Sequence, residues 1–467
     1  MNKLFYKIAS RLSEIVKGTK FEGNIYMVGG SVRDLVMDKV IKDYDICITL
    51  PNGGVEFAEW LYKNDYLVYE SVIYQTYGTA MFKLKDFPDD EIEAVHTRKE
   101  QYKDKNSRNP EQTYGTLEED AFRRDLTCNA LYYSISDNKI LDPTGKGLED
   151  IKNHVIRVTN PNPDIVFVDD PLRILRVCRF SSRYGWDITD ESYQSMCRNV
   201  DRLSIISQER ITDEFNKMIV CDNPVMALEL LKNIGAMKYV IPELEETYEM
   251  TQNKYHGYNS VWCHSIRTVT HAPNNLVLRV AALLHDIGKI KCRTVDENGN
   301  VHFYKHELYS AELCETILKR MKYSNDFIKQ VVLLVKNHMR TKNWSDDCGT
   351  MKMRSLRKMW YELGDNMDLC LDLIHADNMA HVSEYCLPNQ IPFVKKQIKE
   401  MKDNGIDMTT YKLPVDGNDV MEVLNIPPCK EVKECLKWLM KLVYTKPDIS
   451  RDILLKNIKQ FGKNNNL

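Results

Sequence analysis

Acidic side chains in the first hundred residues have the types and the spacing that metal-dependent phosphoryl transfer requires. Asp43 and Asp45 lie two residues apart at the start of a predicted strand, so their carboxylates point to the same side. Two like charges this close are costly unless they share a cation. A second acidic strand supplies Glu91 or Glu93 on one face. Together they predict a site for two Mg²⁺ ions, one activating an attacking hydroxyl and the other clamping a triphosphate.

A glycine-rich turn precedes these carboxylates. MVGGSVRD follows a predicted strand and opens a helix, so Gly29 and Gly30 let the backbone approach a triphosphate at the helix N-terminus. Arg33 can add a direct phosphate contact. Two adjacent glycines alone are usually a simple turn, and Asp-x-Asp alone is usually an ordinary strand end. Their combination with a second acidic strand favours phosphoryl transfer over both structural interpretations.

The elements that would position these side chains are short strands. Segments rich in β-branched or aromatic residues predict strands at 24–28, 44–48, 67–69, 80–84, 91–96 and 130–134. From about residue 149 the periodicity is helical, with glycine and proline between the helices. We therefore predict an α+β fold, in which a head with a small mixed β-sheet precedes an all-helical remainder.

The composition is that of a globular protein without a membrane span. The chain has 467 residues, which is enough for roughly three domains, and 43% of them are hydrophobic and 28% charged. No apolar run reaches the length of a membrane span, and the N-terminus lacks a signal-peptide pattern. Thirteen cysteines without CxxC pairs predict reduced thiols in the cytoplasm. The net charge of −3 means that any RNA surface must be a local patch.

GGSVRD followed by DYD resembles the head motif of the class II tRNA nucleotidyltransferases, which include CCA-adding enzymes and bacterial poly(A) polymerases. The resemblance runs through most of the chain. It implies that Asp43 and Asp45 are metal ligands and that Glu93, five residues before Arg98, is the third carboxylate. The implied reaction is template-independent addition of CCA to the 3′ end of tRNA from CTP and ATP, with release of pyrophosphate, by a two-metal mechanism.

The segment LEEDAFRRDLTCNAL resembles the family motif RRDFTINA, with Leu126 and Cys128 in place of the usual Phe and Ile. By spacing alone the segment is a capped amphipathic helix with solvated charges. The resemblance implies instead that its polar side chains hold the triphosphate and the ribose; these are Asp120, Arg123, Arg124, Asp125 and Asn129.

DDPLR resembles the family motif that reads the incoming base. Asp170 would accept and Arg173 would donate hydrogen bonds, which matches the Watson–Crick edge of C or A and leaves U or G without partners. The same helix carries arginines at spacings of three and four, a basic face typical of a solvated surface or of a patch for RNA phosphates. Those arginines are Arg173, Arg176, Arg179 and Arg183, of which we assign the first three to nucleotide binding.

Two further segments carry expectations about RNA and about the choice between C and A. In the following helix, Arg210 and Lys217 are candidate RNA contacts. The polar segment 98–116 predicts a flexible surface loop. In the family, the matching loop carries an arginine before a proline that the switch from C to A addition needs. Arg108 in SRNP resembles that arginine, and its presence favours complete CCA addition over an enzyme that stops at CC.

Nine of the eleven histidines lie between His256 and His381. Single histidines are more often core or surface residues than ligands. Here their order resembles the HD superfamily of metal-dependent phosphohydrolases, whose nitrogen and oxygen donors suit Mn²⁺, Ni²⁺, Mg²⁺ or Fe²⁺ and whose metal could generate hydroxide for phosphoester hydrolysis. The alternative is a scaffold kept for tRNA binding. The implied ligands are His264, His285, Asp286 and Asp377 for one metal, with His306 and His338 placing or binding a second.

By the resemblance, the chain divides into a catalytic head (1–142), a helical neck (143–248), an HD domain (249–385) and a tail (386–467). The tail segment 412–440 would grip the tRNA elbow by shape and phosphate, or would serve only packing. The expected partners are tRNA, CTP and ATP, with no membrane and no protein partner implied. The alternatives are a poly(A) polymerase, a CC-only enzyme, or an HD phosphohydrolase with a relic head that binds RNA.

Overall fold

The computed structural model describes residues 2–74, 78–101, 111–257, 259–341 and 352–467. They form two compact units, Met1–Pro242 and Glu243–Leu467. The first unit contains a mixed sheet and helices, and the second is almost entirely helical, which confirms the predicted α+β class. Among the described helices, none combines the length and the apolar character needed to cross a membrane.

A seven-stranded mixed sheet forms the centre of the first unit. The strands of the head are β1 (Ile25–Val28), β2 (Tyr44–Ile48), β3 (Val72–Tyr74), β4 (Thr79–Phe82), β5 (Ile92–His96), β6 (Arg98–Gln101), β7 (Glu111–Tyr114), β8 (Tyr132–Ser134) and β9 (Lys139–Leu141). The order in the large sheet is β3-β4-β5-β2-β1-β8-β9. Strands β2 and β5 run parallel, and the other neighbours are antiparallel.

Two of the predicted head segments differ from the structure. The strand predicted at 67–69 is wrong, because the chain bends at Val68 and Tyr69 and only Leu67 makes an isolated bridge to Leu84. The segment predicted as a loop at 98–116 instead pairs its two ends as the antiparallel hairpin β6–β7. Arg108 lies outside the described residues.

The helices of the first unit are amphipathic and cover the sheet or pack on one another. Helix α1 buries Phe5, Ile8 and Leu12 on one face, a spacing typical of an amphipathic helix. The longest neck helix ends at Gly185, whose φ of +68° suits a residue without a side chain. A short parallel pair, β10 (Val155–Ile156) and β11 (Asp187–Ile188), lies among these helices. The helices are α1 (Lys3–Val16), α2 (Gly30–Val36), α3 (Gly53–Lys63), α4 (Leu117–Phe122), α5 (Gly147–Asn153), α6 (Pro163–Asp169), α7 (Leu172–Tyr184), α8 (Asp190–Asn199), α9 (Gln208–Ile219), α10 (Pro224–Asn233) and α11 (Met237–Val240).

The second unit is built around one nearly apolar helix. Its helices are α12 (Val261–His271), α13 (Leu276–Leu284), α14 (Lys289–Cys292), α15 (His306–Arg320), α16 (Asn325–Asn337), α17 (Met353–Leu363), α18 (Met367–Met379), α19 (Gln390–Asp403), α20 (Gly417–Leu424), α21 (Lys430–Thr445) and α22 (Arg451–Asn464). Helix α13 is buried over most of its length and packs against α12, α16 and α18. The antiparallel hairpin β12 (Arg293–Val295) and β13 (Val301–Phe303) corrects the all-helical expectation for this unit, as the pair β10–β11 does for the predicted neck.

Candidate functional site

The parallel pairing of β2 with β5 places two of the predicted carboxylates side by side. Asp45 is in register with Glu93, and residues in register on neighbouring strands point to the same face. Asp45 is half-buried, whereas Asp43 and Glu93 are exposed. Burial, reinforced by Glu93 and opposed by Arg124, raises the pKa of Asp45 to about 6. A divalent cation would relieve this unfavourable charge, so the donor set fits one.

The three carboxylates are nevertheless an open arrangement. Within the described part of the chain, the oxygens of Asp43, Asp45 and Glu93 do not form a group that lies within 4.8 Å of one another. The sequence therefore placed the acidic strands correctly beside each other, but the structure does not gather all three carboxylates into one compact cluster.

The glycine turn lies directly beside Asp45. Gly29 has a φ of +67°, in the region that favours glycine. A Cβ at this position would lie 3.4 Å from Nη1 of Arg124 and 3.9 Å from Oδ2 of Asp45. Gly30 follows as the first residue of α2. An anion that approaches this turn would therefore meet a guanidinium on one side and the carboxylate site on the other.

Arg33 lies behind the turn in a buried network. Its side chain donates to Oδ1 of Asn129 at 2.6 Å and to Oδ1 of Asp34 at 2.9 Å, and it is only 4% exposed. The amide of Asn129 in turn donates to Oδ1 of Asp125 at 3.2 Å. The structure thus gives Arg33 a supporting position, and a direct phosphate contact by this residue stays a prediction.

Asp120 fixes the two arginines of the RRD motif. It is fully buried and accepts from Arg123 at 2.6 Å, from Arg124 at 3.0 Å and from the Tyr132 hydroxyl at 2.6 Å. Burial opposes ionisation, but Arg124 and Arg123 outweigh it and hold the pKa of Asp120 well below its usual range. Asp120 is therefore placed to position the arginines, whose side chains remain partly exposed.

The basic face of α7 points largely inward. Arg176 donates to Oδ2 of Asp125 at 2.7 Å, and Arg179 lies 2.7 Å from Oε2 of Glu214. Arg173 donates to the backbone carbonyl of Arg123 at 2.6 Å. Burial opposes ionisation of Asp125, but Arg176, Asn129 and Arg173 together outweigh it and lower the pKa of Asp125 to about 2. A fully solvated stripe is therefore wrong for these three arginines, because each has a partner within the protein, while their role in nucleotide binding stays a prediction.

Several predicted nucleotide-binding residues line one cleft of about 280 Å³. Within it, Oδ2 of Asp170 accepts from Arg210 at 2.9 Å, and Oδ1 accepts from the backbone N–H of Leu172 at 3.1 Å. The sequence prediction assigned Arg210 to RNA and missed Glu214. Local spacing reveals neither the pairing of Arg210 with Asp170 nor that of Glu214 with Arg179. The lining residues are Arg123, Arg124, Asp125, Asp170, Leu172, Arg173, Arg176 and Arg210.

In the second unit, five elements bring the predicted HD ligands together. His264 comes from α12, His306 from α15 and Asp377 from α18, while His285, Asp286 and His338 directly follow α13 and α16. All six are buried. The Nε2 atom of His264 lies 3.0 Å from Oδ1 of Asp377, and that of His306 lies 3.1 Å from Oδ1 of Asp286. The predicted set is thus gathered at one place.

The ring orientations suit metal binding. The Nδ1 atoms of His285, His306 and His338 lie 2.8, 2.9 and 2.6 Å from backbone carbonyls. Because a carbonyl only accepts, Nδ1 carries the proton in each neutral ring and Nε2 presents a lone pair. For His285, burial opposes protonation, but Asp286 and Asp377 raise its pKa, so a bound cation would have to displace a proton there. Burial lowers the pKa of His264 to about 4 and of His338 to about 3, so both are neutral at pH 7.

The spacing also fits a divalent cation. The Nε2 atoms of His264 and His285 are 3.3 Å apart, and those of His306 and His338 are 3.2 Å apart. Two ligands at about 2.1 Å from one ion have a comparable separation. Two groups of possible ligands share His285; they are His264, His285 and Asp377, and His285, Asp286 and His338.

Sequence reasoning missed three neighbours of this cluster. Lys289 lies 2.5 Å from Oδ2 of Asp286 and 2.5 Å from Oε1 of Gln252. The rings of His256 and His381 lie 4.3 Å and 5.4 Å from that of His264. All three line a cavity of about 580 Å³ in front of the ligands. For Lys289, the sequence signal was its position three residues after Asp286, which places both side chains on one side of a helical turn. For His256 and His381, the sequence offered only the high count of histidines in this region.

Three family descriptions match consecutive parts of the chain. The "Poly A polymerase head domain" covers residues 25–157, the "Probable RNA and SrmB-binding site of polymerase A" covers residues 185–247, and the "HD domain" covers residues 261–378. Nucleotidyltransferase and HD domains generally use divalent metals, in agreement with the donor sets described above.

Curated relatives agree with these matches. The chain is 31% identical over 324 residues to the multifunctional CCA protein of Methylobacillus flagellatus, covering 67% of this chain and 73% of that protein. It is 30% identical over 275 residues to the multifunctional CCA protein of Neisseria gonorrhoeae, covering 57% of this chain and 62% of that protein. The second match therefore spans less than two thirds of the relative.

Solved structures share the fold. The CCA-adding enzyme of Bacillus stearothermophilus in complex with CTP aligns over 100% of both chains, with a TM-score of 0.71 and 20% identity. The Thermotoga maritima CCA-adding enzyme complexed with tRNA aligns over 98% of this chain and 96% of that chain, with a TM-score of 0.61 and 17% identity. Together with the Methylobacillus match, these findings confirm the resemblance, and the chain belongs to the family of CCA-adding tRNA nucleotidyltransferases.

Proposed function

We propose that this protein adds CCA to the 3′ end of tRNA from CTP and ATP, without a nucleic-acid template and with release of pyrophosphate. The observation that carries the proposal is the register of β2 with β5, which sets Asp45 beside Glu93 while the Gly29 turn meets Asp45 and Arg124. Relatives named as CCA proteins favour this product over poly(A).

Asp43, Asp45 and Glu93 would hold Mg²⁺ in the head. When bound, the ions would supply the charge that activates the attacking 3′-hydroxyl and neutralises the triphosphate. Glu93 also lines a cleft of about 420 Å³ with Tyr74 and Arg98, which offers space for the acceptor end. In the reaction, the 3′ oxygen bonds to the α-phosphorus as the bond to pyrophosphate breaks.

Arg123 and Arg124 would bind the triphosphate. Their guanidinium groups are held by Asp120, so they are oriented before the nucleotide arrives. The backbone at Gly29 would come close to the same phosphates, since the missing side chain leaves room beside Arg124. Asp125 and Asn129 would act behind these groups, through Arg176 and Arg33.

Asp170 and Arg173 would select the base. C and A both present an amino group and a ring nitrogen acceptor on the Watson–Crick edge, which match a carboxylate acceptor and a guanidinium donor. U and G present a carbonyl oxygen where C and A present the amino group, so Asp170 would face another acceptor. Arg173 is 8% exposed and lies in the same cleft as Asp170, which supports this assignment.

The test is extension of a tRNA that lacks its 3′ end, with CTP and ATP, followed by sequencing of the products. CCA ends are expected from the purified protein. Products that end at CC, or runs of A, would replace this proposal by one of the two rival polymerase functions. Arg108→Ala is expected to shift the products toward CC.

The second unit supports a second candidate function, metal-dependent phosphoester hydrolysis. The favouring observation is that buried imidazoles with carbonyl-bound Nδ1 atoms converge at the end of an open cavity. His264, His285, Asp286, His306, His338 and Asp377 would hold one or two divalent metals such as Mn²⁺, Ni²⁺ or Mg²⁺. When bound, the metal would supply an activated water for attack on phosphorus. Wild-type protein that binds no divalent metal and hydrolyses no phosphoester would favour a scaffold role.

The proposal has three further parts. The domain boundaries would lie after residues 142, 248 and 385, the tail would grip tRNA, and the protein would be located in the cytoplasm. The described cysteines are all free thiols, which supports a reducing compartment. Separately expressed segments 1–248 and 249–467 that each unfold cooperatively would support the central boundary, whereas insoluble segments would count against it.

A further inference from the structure

We infer that Arg210 is a positioning residue for base selection, holding Asp170 in the orientation that reads the incoming nucleotide. This inference rests on the proposed function, because it takes Asp170 as a base-reading group. It replaces the expectation that Arg210 contacts RNA.

The geometry gives Asp170 an anchor on each carboxylate oxygen. Asp170 lies at the junction of α6 and α7. Its Oδ1 atom accepts from the backbone N–H of Leu172 at 3.1 Å, and its Oδ2 atom accepts from Nη2 of Arg210 on α9 at 2.9 Å. Two anchors on different helices restrict rotation of the side chain. Each carboxylate oxygen has two lone pairs, so Asp170 can still accept from the amino group of a base.

The place of Arg210 in its helix argues against a role in stabilising the fold. Arg210 lies in the first turn of α9, where the positive end of the helix dipole disfavours a cation. Its pair with Asp170 is partly solvated, with side chains that are 46% and 24% exposed, and such pairs add little stability. The feature that distinguishes this pair is its location in the cleft that Arg173 and Arg176 also line.

The surroundings explain why Asp170 needs this partner. Arg176 in the same cleft is paired with Asp125, and Arg173 donates to the carbonyls of Arg123 and Val166. Without Arg210, Oδ2 of Asp170 would be free to turn toward the other guanidinium groups of the cleft. That rotation would remove the acceptor from the position where the amino group of C or A must bind, and discrimination against U and G would weaken.

The experiment compares Arg210→Ala and Arg210→Lys with wild type in the full-length protein. We measure kcat/KM for CTP against UTP, the Kd for CTP without tRNA, and the KM for a tRNA lacking its 3′ end. Arg210→Ala should reduce the preference for CTP over UTP by about tenfold and weaken CTP binding, while the KM for tRNA stays unchanged. Arg210→Lys should restore part of the preference, because the charge is kept but the planar donor group is lost.

Arg198→Ala is the matched control. Arg198 forms a comparable solvated pair with Asp164 at 3.0 Å and is not among the residues lining the cleft. Its loss should leave all three measurements unchanged. A rise in the KM for tRNA with base preference intact in Arg210→Ala would overturn the inference in favour of an RNA contact. Equal behaviour of Arg210→Ala and Arg198→Ala would also overturn it.

The variant Asp170→Ala distinguishes a failure of the Arg210 role from a failure of the proposed base reading by Asp170. If Asp170→Ala loses base preference and Arg210→Ala keeps it, only the role of Arg210 is wrong. If the wild-type protein does not add CCA, or if Asp170→Ala keeps full base preference, base reading by Asp170 fails and the inference fails with it.

Discussion

The two candidate metal sites of this chain are built in opposite ways. In the head, Asp43 and Glu93 are exposed and Asp45 is half-buried, at the open edge of two parallel strands. In the second unit, every predicted ligand is buried, and four imidazole Nε2 atoms converge with two carboxylates. In the second unit, the packing of several helices thus brings the ligands together. In the head, the acidic groups are aligned by the pairing of two neighbouring strands.

The buried charges of the head lie elsewhere, behind the arginines that line its cleft. Asp120 and Asp125 have strongly lowered pKa values because arginines surround them. A site that must admit successive nucleotides and a growing tRNA end needs open carboxylates but fixed phosphate-binding groups. A site for hydrolysis of a small phosphoester can bury its metal ligands at the end of a cavity. Under the two proposed functions, burial of the ligands would follow what each site has to admit.

The sharpest test of this comparison removes the open carboxylates. Asp43→Ala combined with Asp45→Ala should lower CTP incorporation into tRNA by about 10³-fold or more, because both charges that would hold the ions are lost. Incorporation is measured on a tRNA lacking its 3′ end. Divalent metal bound by the second unit should be unchanged in the same protein. Full extension activity in this variant would refute the metal assignment.

The buried site should respond most strongly at its shared ligand. His285 belongs to both ligand groups, so His285→Ala should weaken divalent metal binding by about 10²-fold or more, and by more than His264→Ala or His338→Ala. Calorimetric titration with Mn²⁺ or Ni²⁺ measures the affinity. His375→Ala is the matched control, since His375 belongs to neither ligand group. Equal metal affinity in His285→Ala and His375→Ala would show that the cluster is structural.

The third test concerns the buried charge behind the head arginines. Asp120→Asn should reduce the free energy of unfolding by about 3 kcal/mol, because Arg123 and Arg124 lose a buried carboxylate partner. Urea denaturation measures the change. Asp201→Asn, which removes the solvated partner of Lys238, should alter stability little. Similar losses of unfolding free energy in the two variants would mean that burial does not determine how much the Asp120 network stabilises the fold.

The smallest expected effect is a pH dependence. The pKa of Asp125 is lowered from 3.8 to about 2 in the folded protein, so the ionised group stabilises the fold at neutral pH. That contribution, about 2 kcal/mol, is complete above pH 4 and is lost as the pH falls toward 2. In Asp125→Asn, the unfolding free energy should fall less steeply between pH 4 and pH 2 than in wild type. Parallel curves would contradict the assigned pairing with Arg176.

The sequence by itself determined which residue types could do chemistry and roughly where they lie in the elements. Some of these features are local patterns that can be recognised within a few residues. They are the Asp43 and Asp45 pair, the Gly29 turn and the histidines of the second unit. The family resemblance then added roles for residues whose spacing alone favoured a plain surface helix. The comparisons with relatives confirm that resemblance and the fold class.

Only the tertiary structure decided which charges meet. The register of Asp45 with Glu93 and the pair of Asp170 with Arg210 join residues that are tens of positions apart. Arg176 and Arg179 on the basic face of α7 point inward because Asp125 and Glu214 are buried beneath them and need cationic partners. A periodic pattern reports that a helix has a charged face; where that face points depends on the buried groups of other elements, which local sequence does not encode.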